Sequence, residues 1–334
     1  MRSSDSHFVK ASGLRWISLM WLAPIPWTQR TWALPVLTVL APSERYYQPL
    51  GKAHKKLTHW ARQIILQLRR WLPERTLVLV ADNSYAVLEL LHFCQSLPQP
   101  VTFITRLRLD AALYQPAPSR QPGQTGRPRL KGTRLPTRHD RLQEPETLWE
   151  QVVVSWYDGH QRLLEVASDT AVWYHTGLPP VPLRWVLIRD PLAEFKPQAL
   201  LCTDPQVAPV HVIQWFVLRW QLEVTFQEVR AHLGVETQRQ WSDLAISRTT
   251  PVLFGLFSWV TLAAHLLQGA TPIPIRHAAW YHKALPTFCD AIALVRQQLW
   301  PWSEAFSLSP SDPDMVKIPR SLLTRLVGTF SYAA

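Results

Sequence analysis

The chain has 334 residues, 47% of them hydrophobic, enough to bury one large core or two smaller ones, which excludes a disordered polypeptide. Its 35 lysines and arginines against 24 acids leave a net charge of +11, an excess that points to a polyanionic partner: nucleic acid, or less often an anionic membrane surface. Cys94, Cys202 and Cys289 are scattered and form no CxxC pair, which excludes a disulfide framework and makes a reducing cytoplasm the expected compartment.

From the N-terminus, "GLRWISLMWLAP" and "TWALPVLTVLAP" are apolar runs joined by a short turn around "WTQR", and they predict a β-hairpin. The run "WISLMWLAPIPW" is too short and too rich in proline for a signal-peptide core. Next, "KAHKKLTHWARQIILQLRRWL" sets Leu57, Ala61, Ile64, Ile65 and Leu68 at helical spacing, with Lys52, Lys55, Lys56, Arg62 and Arg69 elsewhere, so a basic amphipathic helix is expected over Lys52–Arg70. His54 and His59 fall on different sides of that helix, which is wrong for a zinc pair. Past Pro73, "TLVLVADNSY" runs apolar into an acid. This is the pattern of a buried parallel strand with Asp82 at its C-terminal tip, where ligands and metals bind. A short helix, "AVLELLHFCQSL", and a second buried strand, "VTFITRLRL", follow.

Between Pro116 and Glu146 the composition changes abruptly. Arg120, Arg127, Arg129, Lys131, Arg134, Arg138 and Arg141 stand among prolines and glycines with almost nothing apolar, so the segment cannot form a packed core. It reads either as a solvated linker or as a mobile arm that grips a phosphate backbone. Gly126-Arg127-Pro128-Arg129 suits the narrow approach of a minor groove.

Beyond it, "EQVVVSWYDGHQRLLEVASDTAVWYH" and "LRWVLIRD" predict a small antiparallel β-insertion with Asp158-Gly159 as a hairpin turn, and "ALLCTD" adds a short strand. After Pro209 one helix is expected through "FVLRWQLEVTFQEVRAHLG". At about 100° per residue, Phe216, Arg219, Glu223 and Arg230 fall within roughly 60° of one another, and Glu228 points elsewhere. The residues alone leave Glu223 two readings. It is either half of an i,i+4 pair with Arg219, steadying the helix by about 0.3 kcal/mol, or a carboxylate that does chemistry. "TTPVLFGLFSWVTLAAHLL" is almost long enough to span a bilayer, but Pro251, Gly255 and His265 interrupt it and no second span accompanies it, so a buried helix is expected. No GxxxxGK, GxGxxG or GxSxG motif occurs, which leaves carboxylates as the candidates for chemistry.

The order hairpin, helix, strand ending in "ADNSYA", helix, strand, β-insertion and a helix reading "RWQLEVTFQEVRAHLG" resembles the RNase H-like core of DDE transposases from bacterial insertion sequences. One group of these carries Tyr, two residues, Arg, three, Glu, six, then Lys. Phe216, Arg219, Glu223 and Arg230 stand at those intervals, two as identities and two as near substitutions. "FITRLRLDAALYQPAP" and "GRPRLKGTRLP" also look like segments of that family, and the likeness runs from about residue 3 to about residue 270.

The resemblance implies an α/β fold: an RNase H-like mixed sheet with flanking helices, interrupted by a β-rich insertion. Its parts would be a core over residues 1–115, a basic arm over 116–146, the insertion over 147–208, the core again over 209–270 and a C-terminal extension over 271–334. It also implies a transposase in which carboxylates, Asp82 and Glu223 among them, hold two Mg²⁺ ions that stabilise the attacking and leaving oxygens of phosphodiester hydrolysis and strand transfer. DNA contacts would come from Phe216, Arg219, Arg230, Arg127, Arg129, Lys131, Arg134, Lys55 and Lys56. The implied partners are the double-stranded DNA of transposon ends and target, with a homodimer on DNA and no membrane; the implied location is the bacterial cytoplasm, at the nucleoid.

Such a site uses three acids, and in that fold the first lies on a central strand preceding the hairpin. Only Asp5, in "MRSSDSHF", stands upstream here, with no apolar strand before it. The expectation is therefore an N-terminally truncated, catalytically defective copy that lacks the first central strand and its acid. A second assignment makes Asp82 the first acid and Asp204 the second, leaving only 18 residues between Asp204 and Glu223. Two rival expectations stand beside the transposase: a non-catalytic DNA-binding remnant or inhibitor of an intact transposase, and a different RNase H-like nuclease.

Overall fold

The structure, a computed structural model, describes residues 13–120, 125–157, 159–268, 273–277, 282–299 and 320–332. In chain order its elements are β1 (Trp16–Ile25), β2 (Arg30–Leu40), α1 (Glu44–Tyr47), α2 (Leu57–Trp71), β3 (Leu77–Val80), α3 (Leu88–Gln95), β4 (Val101–Leu107), β5 (Leu113–Tyr114) and α4 (Arg138–Gln143). Then come β6 (Glu150–Ser155), β7 (Gln161–Trp173), β8 (Val181–Arg189), β9 (Gln198–Cys202), α5 (Pro209–Leu218), α6 (Gln221–Leu233), α7 (Asp243–Leu267), α8 (Phe288–Leu299) and α9 (Arg320–Ser331). The mixed α/β class expected from the sequence is the one observed.

The chain divides into two compact units: Ser43–Trp220, and the residues up to Pro42 together with those from Gln221 onward.

The sheet unit, Ser43–Trp220, is built on seven strands in the order β3-β4-β9-β8-β7-β5, with β6 also paired to β7. Only β3 and β4 run parallel, joined by the α3 crossover; β9, β8, β7, β6 and β5 are antiparallel to their neighbours. The stretch expected as a separate insertion is thus continuous with the sheet: β9 pairs directly with β4, Ile104 opposite Cys202. On one face Ile104, Val186, Leu200 and Cys202 pack against Val212, Ile213, Phe216 and Val217 of α5. Helix α2 begins at Leu57 rather than Lys52, so Lys55 and Lys56 precede it, with Lys56 at the N-cap. Its buried residues are the predicted Ala61, Ile64, Ile65 and Leu68. Arg69 holds the helix end to the loops that enter β3 and β4, donating to the carbonyls of Leu72 (3.1 Å), Arg75 (2.7 Å) and Pro100 (3.2 Å).

The basic arm is a correction in part. From Lys131 onward the chain is tied back to the sheet. Gly132 N donates to Gln115 O (2.8 Å), Gln115 N to Thr133 O (2.9 Å) and Leu135 N to Leu113 O (2.9 Å). Thr137 and Asp140 then cap α4 reciprocally. Arg138 is 1% exposed, its guanidinium 5.4 Å from the Trp185 ring, and burial lowers its pKa to about 10. Backbone pairing with β5 supplies the order that composition did not promise.

In the hairpin unit β1 and β2 form their own two-stranded sheet, with a bulge at Leu19/Met20 where Pro35, which has no N–H to pair, is accommodated. Gln29 closes the turn at φ 53°. Trp32 packs edge-on to Trp27 (5.0 Å between centroids) and lies 5.7 Å from Phe257, which stacks on Phe288 at 4.2 Å. Thr225 Oγ1 and Ser258 Oγ each donate at 2.7 Å to β2 carbonyls, those of Ala33 and Pro35. Helix α7 runs unbroken through Pro251 and Gly255 for 25 residues. It buries Phe254, Phe257, Val260 and Ala264, while Val252, Leu256, Trp259, Leu262 and Leu266 are exposed. The expected burial therefore holds for one face only. By length and composition alone α7 could cross a membrane.

Asp290 is the polar centre of this unit's C-terminal part. Its fully buried carboxylate accepts from Lys283 Nζ (2.7 Å), Thr287 N and Oγ1 (2.9 Å each), Arg276 N (3.1 Å) and Tyr332 Oη (3.2 Å). Burial opposes its charge, but the hydrogen bonds from Lys283, Thr287 and Arg276 outweigh this and hold the carboxyl below its ordinary range. The stabilisation is therefore complete above the unfolded pKa of about 4 and is lost as pH falls through the lower folded value. Asp290→Ala, which leaves half-buried Lys283 without its carboxylate and the N–H groups of Thr287 and Arg276 without their acceptor, is expected to cost about 2–4 kcal/mol at neutral pH. Denaturant unfolding of both proteins checks this, and the gap should narrow below about pH 4.

Candidate functional site

Asp82 stands at the C-terminal tip of β3, as its sequence pattern predicts, and is exposed. Three contacts fix its backbone and carboxylate. Ala81 N donates to Ile104 O (3.0 Å), Thr105 Oγ1 donates to Asp82 O (2.6 Å), and Ser84 N donates to Asp82 Oδ1 (2.8 Å). Thr105 is fully buried, so the hydroxyl that holds this peptide is itself immobile.

The strand register decides where Asp204 lies. Val80 and Cys202 both face Ile104, but β3 runs parallel to β4 and β9 runs against it. Asp82, two residues past Val80, sits level with Arg106; Asp204, two past Cys202, sits level with Thr102. At about 3.3 Å per residue the two acids are roughly 13 Å apart along the strands, and two strand spacings apart across them. Asp204 instead turns its own loop, its Oδ1 accepting from Gln206 N at 2.9 Å.

The continuous helix expected through Phe216, Arg219, Glu223 and Arg230 is a correction. Helix α5 ends at Leu218, where Arg219 N and Trp220 N donate back three residues to Phe216 O and Val217 O, and α6 starts at Gln221. A tightened turn advances about 120° per residue rather than 100°, so the helical phase does not carry across it. Phe216 and Arg219 belong to the sheet unit, Glu223 and Arg230 to the hairpin unit. Phe216 is buried, with the guanidiniums of Arg219 and Arg106 at 5.6 and 5.8 Å from its ring centre.

On α6, Glu223 and Arg230 lie seven residues apart and share a face. Glu223 is exposed in the first turn, where a negative charge suits the helix dipole. Arg230 reaches Glu236 at 3.6 Å. Glu228 faces elsewhere, as its spacing predicts. It lines a small cavity of about 70 Å³ with Arg30, Trp32 and Thr225, and lies 3.5 Å from His232. Burial pushes its carboxyl up, against the opposing charges of His232 and Lys283.

The expected DNA contacts divide by what already holds them. Arg127 and Arg129 are exposed, as is Arg134. Lys131 lies over two rings, 3.5 Å from Tyr114 and 4.9 Å from Tyr174, and Lys55 lies 4.7 Å from Trp60. Lys56 is exposed. Among the described residues no group of three His, Cys, Asp or Glu side chains could hold a metal ion. Asp5 and Asp158 lie outside the described residues; Gly159, beside the latter, has the left-handed φ of 84° that the predicted turn needs. Sequence reading passed over Arg106, although it interrupts the apolar run "VTFITRL" at a position facing away from Val101, Phe103 and Thr105.

Residues 3–163 match the DDE superfamily endonuclease family. The matched stretch takes in the hairpin, β3 with Asp82, β4 and the arm, and covers 161 of the 334 residues. It supports a likeness of this stretch to DDE-type transposases and nucleases. The mixed sheet with flanking helices is consistent with the RNase H-like fold of such enzymes. No curated protein matches the chain.

If the exposed arginines meet phosphates, replacing Arg127, Arg129 and Arg134 together by Gln should make the slope of log K against log salt for duplex DNA shallower by about 3, since each contact contributes roughly 0.9. Fluorescence anisotropy across a salt series reads this. Arg138→Gln, by contrast, should lower the melting temperature, because Arg138 is buried against Trp185.

Proposed function

We propose that the chain acts on DNA as a transposase of the insertion-sequence type, with Asp82 and Glu223 as two of its metal-holding carboxylates. The observation that carries this reading is Asp82 itself: an exposed carboxylate on a strand tip held by a buried hydroxyl, inside the stretch matched to the DDE superfamily endonuclease family. Hard carboxylate oxygens suit Mg²⁺. When bound, such ions stabilise the attacking and leaving oxygens of an in-line displacement at phosphorus. Asp82 offers a carboxylate with one oxygen already oriented by Ser84 N. Glu223 offers the carboxylate that stands at the spacing of the resembled signature. Arg127, Arg129, Arg134, Lys55 and Lys56 bring the phosphate backbone to the protein, and the positive end of α2 adds to the field of the two lysines that precede it.

A second reading, DNA binding without catalysis, rests on the exposed Arg127, Arg129 and Arg134, which would hold a phosphate backbone whether or not a strand is cut. One experiment separates the two. With supercoiled plasmid and Mg²⁺, a transposase reading expects nicking that falls by several orders of magnitude in Asp82→Asn and Glu223→Gln and persists in Glu228→Gln. Salt-sensitive DNA binding with no nicking in the unaltered chain selects the second reading, and nicking untouched by Asp82→Asn rejects the assignment of Asp82.

A further inference from the structure

At the rim of the sheet unit, Tyr114 of β5 pairs with Val172 of β7. Tyr174, two residues beyond Val172, brings its ring edge-on to that of Tyr114 at 6.5 Å. Lys131 lies over both, its Nζ 3.5 Å from the centre of the Tyr114 ring and 4.9 Å from that of Tyr174. Two electron-rich rings thus hold one ammonium. Beside it the backbone closes a neck. Gly132 N donates to Gln115 O at 2.8 Å, Gln115 N to Thr133 O at 2.9 Å, and Thr133 Oγ1 to Gln115 Oε1 at 2.6 Å. The two limbs come so close that a Cβ on Gly132 would stand 2.6 Å from Pro116 O, an approach that only glycine permits.

The neck joins the two ends of the segment that carries Arg127 and Arg129, both exposed. Within that segment Arg120 Nη2 donates to Gly126 O at 3.4 Å. A free basic chain that grips a phosphate backbone loses conformational freedom on binding, and the loss is subtracted from its affinity. A chain whose ends are already tied has met part of that cost on folding. Lys131 could serve DNA in either of two ways, and they differ in salt dependence. A lysine that touches phosphate displaces a counterion and adds about 0.9 to the slope of log K against log salt. A lysine that holds the segment raises K at every salt and leaves the slope as it is. The position of Nζ over the two tyrosines favours the second.

We propose that Lys131 is a positioning residue: seated on Tyr114 and Tyr174 beside the closed neck, it holds the segment bearing Arg127 and Arg129 in place, so that duplex DNA meets these arginines already arranged. The part of this that concerns DNA rests on the reading of the chain as acting on DNA.

The test uses the full chain and two readouts, anisotropy of a labelled duplex across a salt series and the rate of tryptic cleavage at the Arg129–Leu130 bond, followed by mass spectrometry without DNA. Lys131→Gln and Tyr174→Leu should each weaken duplex binding about fivefold, the worth of one partly exposed cation–π contact, with the salt slope unchanged. The double variant should be no weaker than either single one, because both remove the same contact. Both single variants should speed cleavage at this bond while other tryptic sites keep their rates, which separates release of the segment from general unfolding; Lys131→Arg, which keeps a cation over the rings, should restore both readouts. A slope shallower by about 0.9 in Lys131→Gln, with Tyr174→Leu inert, overturns the proposal and makes Lys131 a phosphate contact. Faster cleavage with unchanged affinity overturns the role in DNA binding. If the unaltered chain binds no duplex, the reading of the chain as acting on DNA fails, and cleavage then decides the clamp by itself: a faster rate in both variants supports it and an unchanged rate overturns it.

Discussion

Strand β4 is hydrogen-bonded on both sides, parallel to β3 and antiparallel to β9, and the positions of Asp82, Asp204 and Arg106 follow from that pairing. Because the side chains of a strand alternate, Thr105 faces one way, fully buried, and donates to the Asp82 carbonyl, while Arg106 faces the other and meets Phe216. A one-residue slip of β4 would exchange those roles, burying a guanidinium and exposing the hydroxyl. Such a slip is opposed by Val101, Phe103 and Leu107, all of which are buried.

The same register separates two acids that the sequence presents as alternatives. Asp82 and Asp204 each end an apolar strand with a turn, and each caps a following backbone N–H. What differs is strand direction, which sends one to the Arg106 end of β4 and the other to the Thr102 end. Direction is a property of chain connectivity over the whole of residues 77–204, and a local pattern carries no trace of it.

Positive charge in this protein serves two purposes, and the partners of each cation distinguish them. Arg69 and Arg138 saturate carbonyls or cover rings and act as structural pins; a guanidinium can do this because it offers several donors in one plane. Arg127, Arg129 and Arg134 are exposed, and so are Lys55 and Lys56. The net charge of +11 therefore overstates the charge available to a polyanion, because part of it is committed to the fold.

The sequence by itself determined the elements whose signal is local: the hairpin from its paired apolar runs, the buried face of α2 from its helical spacing, the strand tip at Asp82, and the different directions of Glu223 and Glu228 on α6. Each depends on periodicity or on a single break in hydrophobicity, which a window of about a dozen residues contains. Only the tertiary structure decided the rest. It ordered residues 131–143 through backbone bonds to β5, which composition cannot encode, and joined β6–β9 to β3 and β4 in one sheet. It also broke the helix at Arg219–Trp220, where side-chain spacing alone gives no mark. These outcomes come from pairings between residues far apart in the chain, and the free energy of burying apolar surface across such distances belongs to the packed fold rather than to any one segment of sequence.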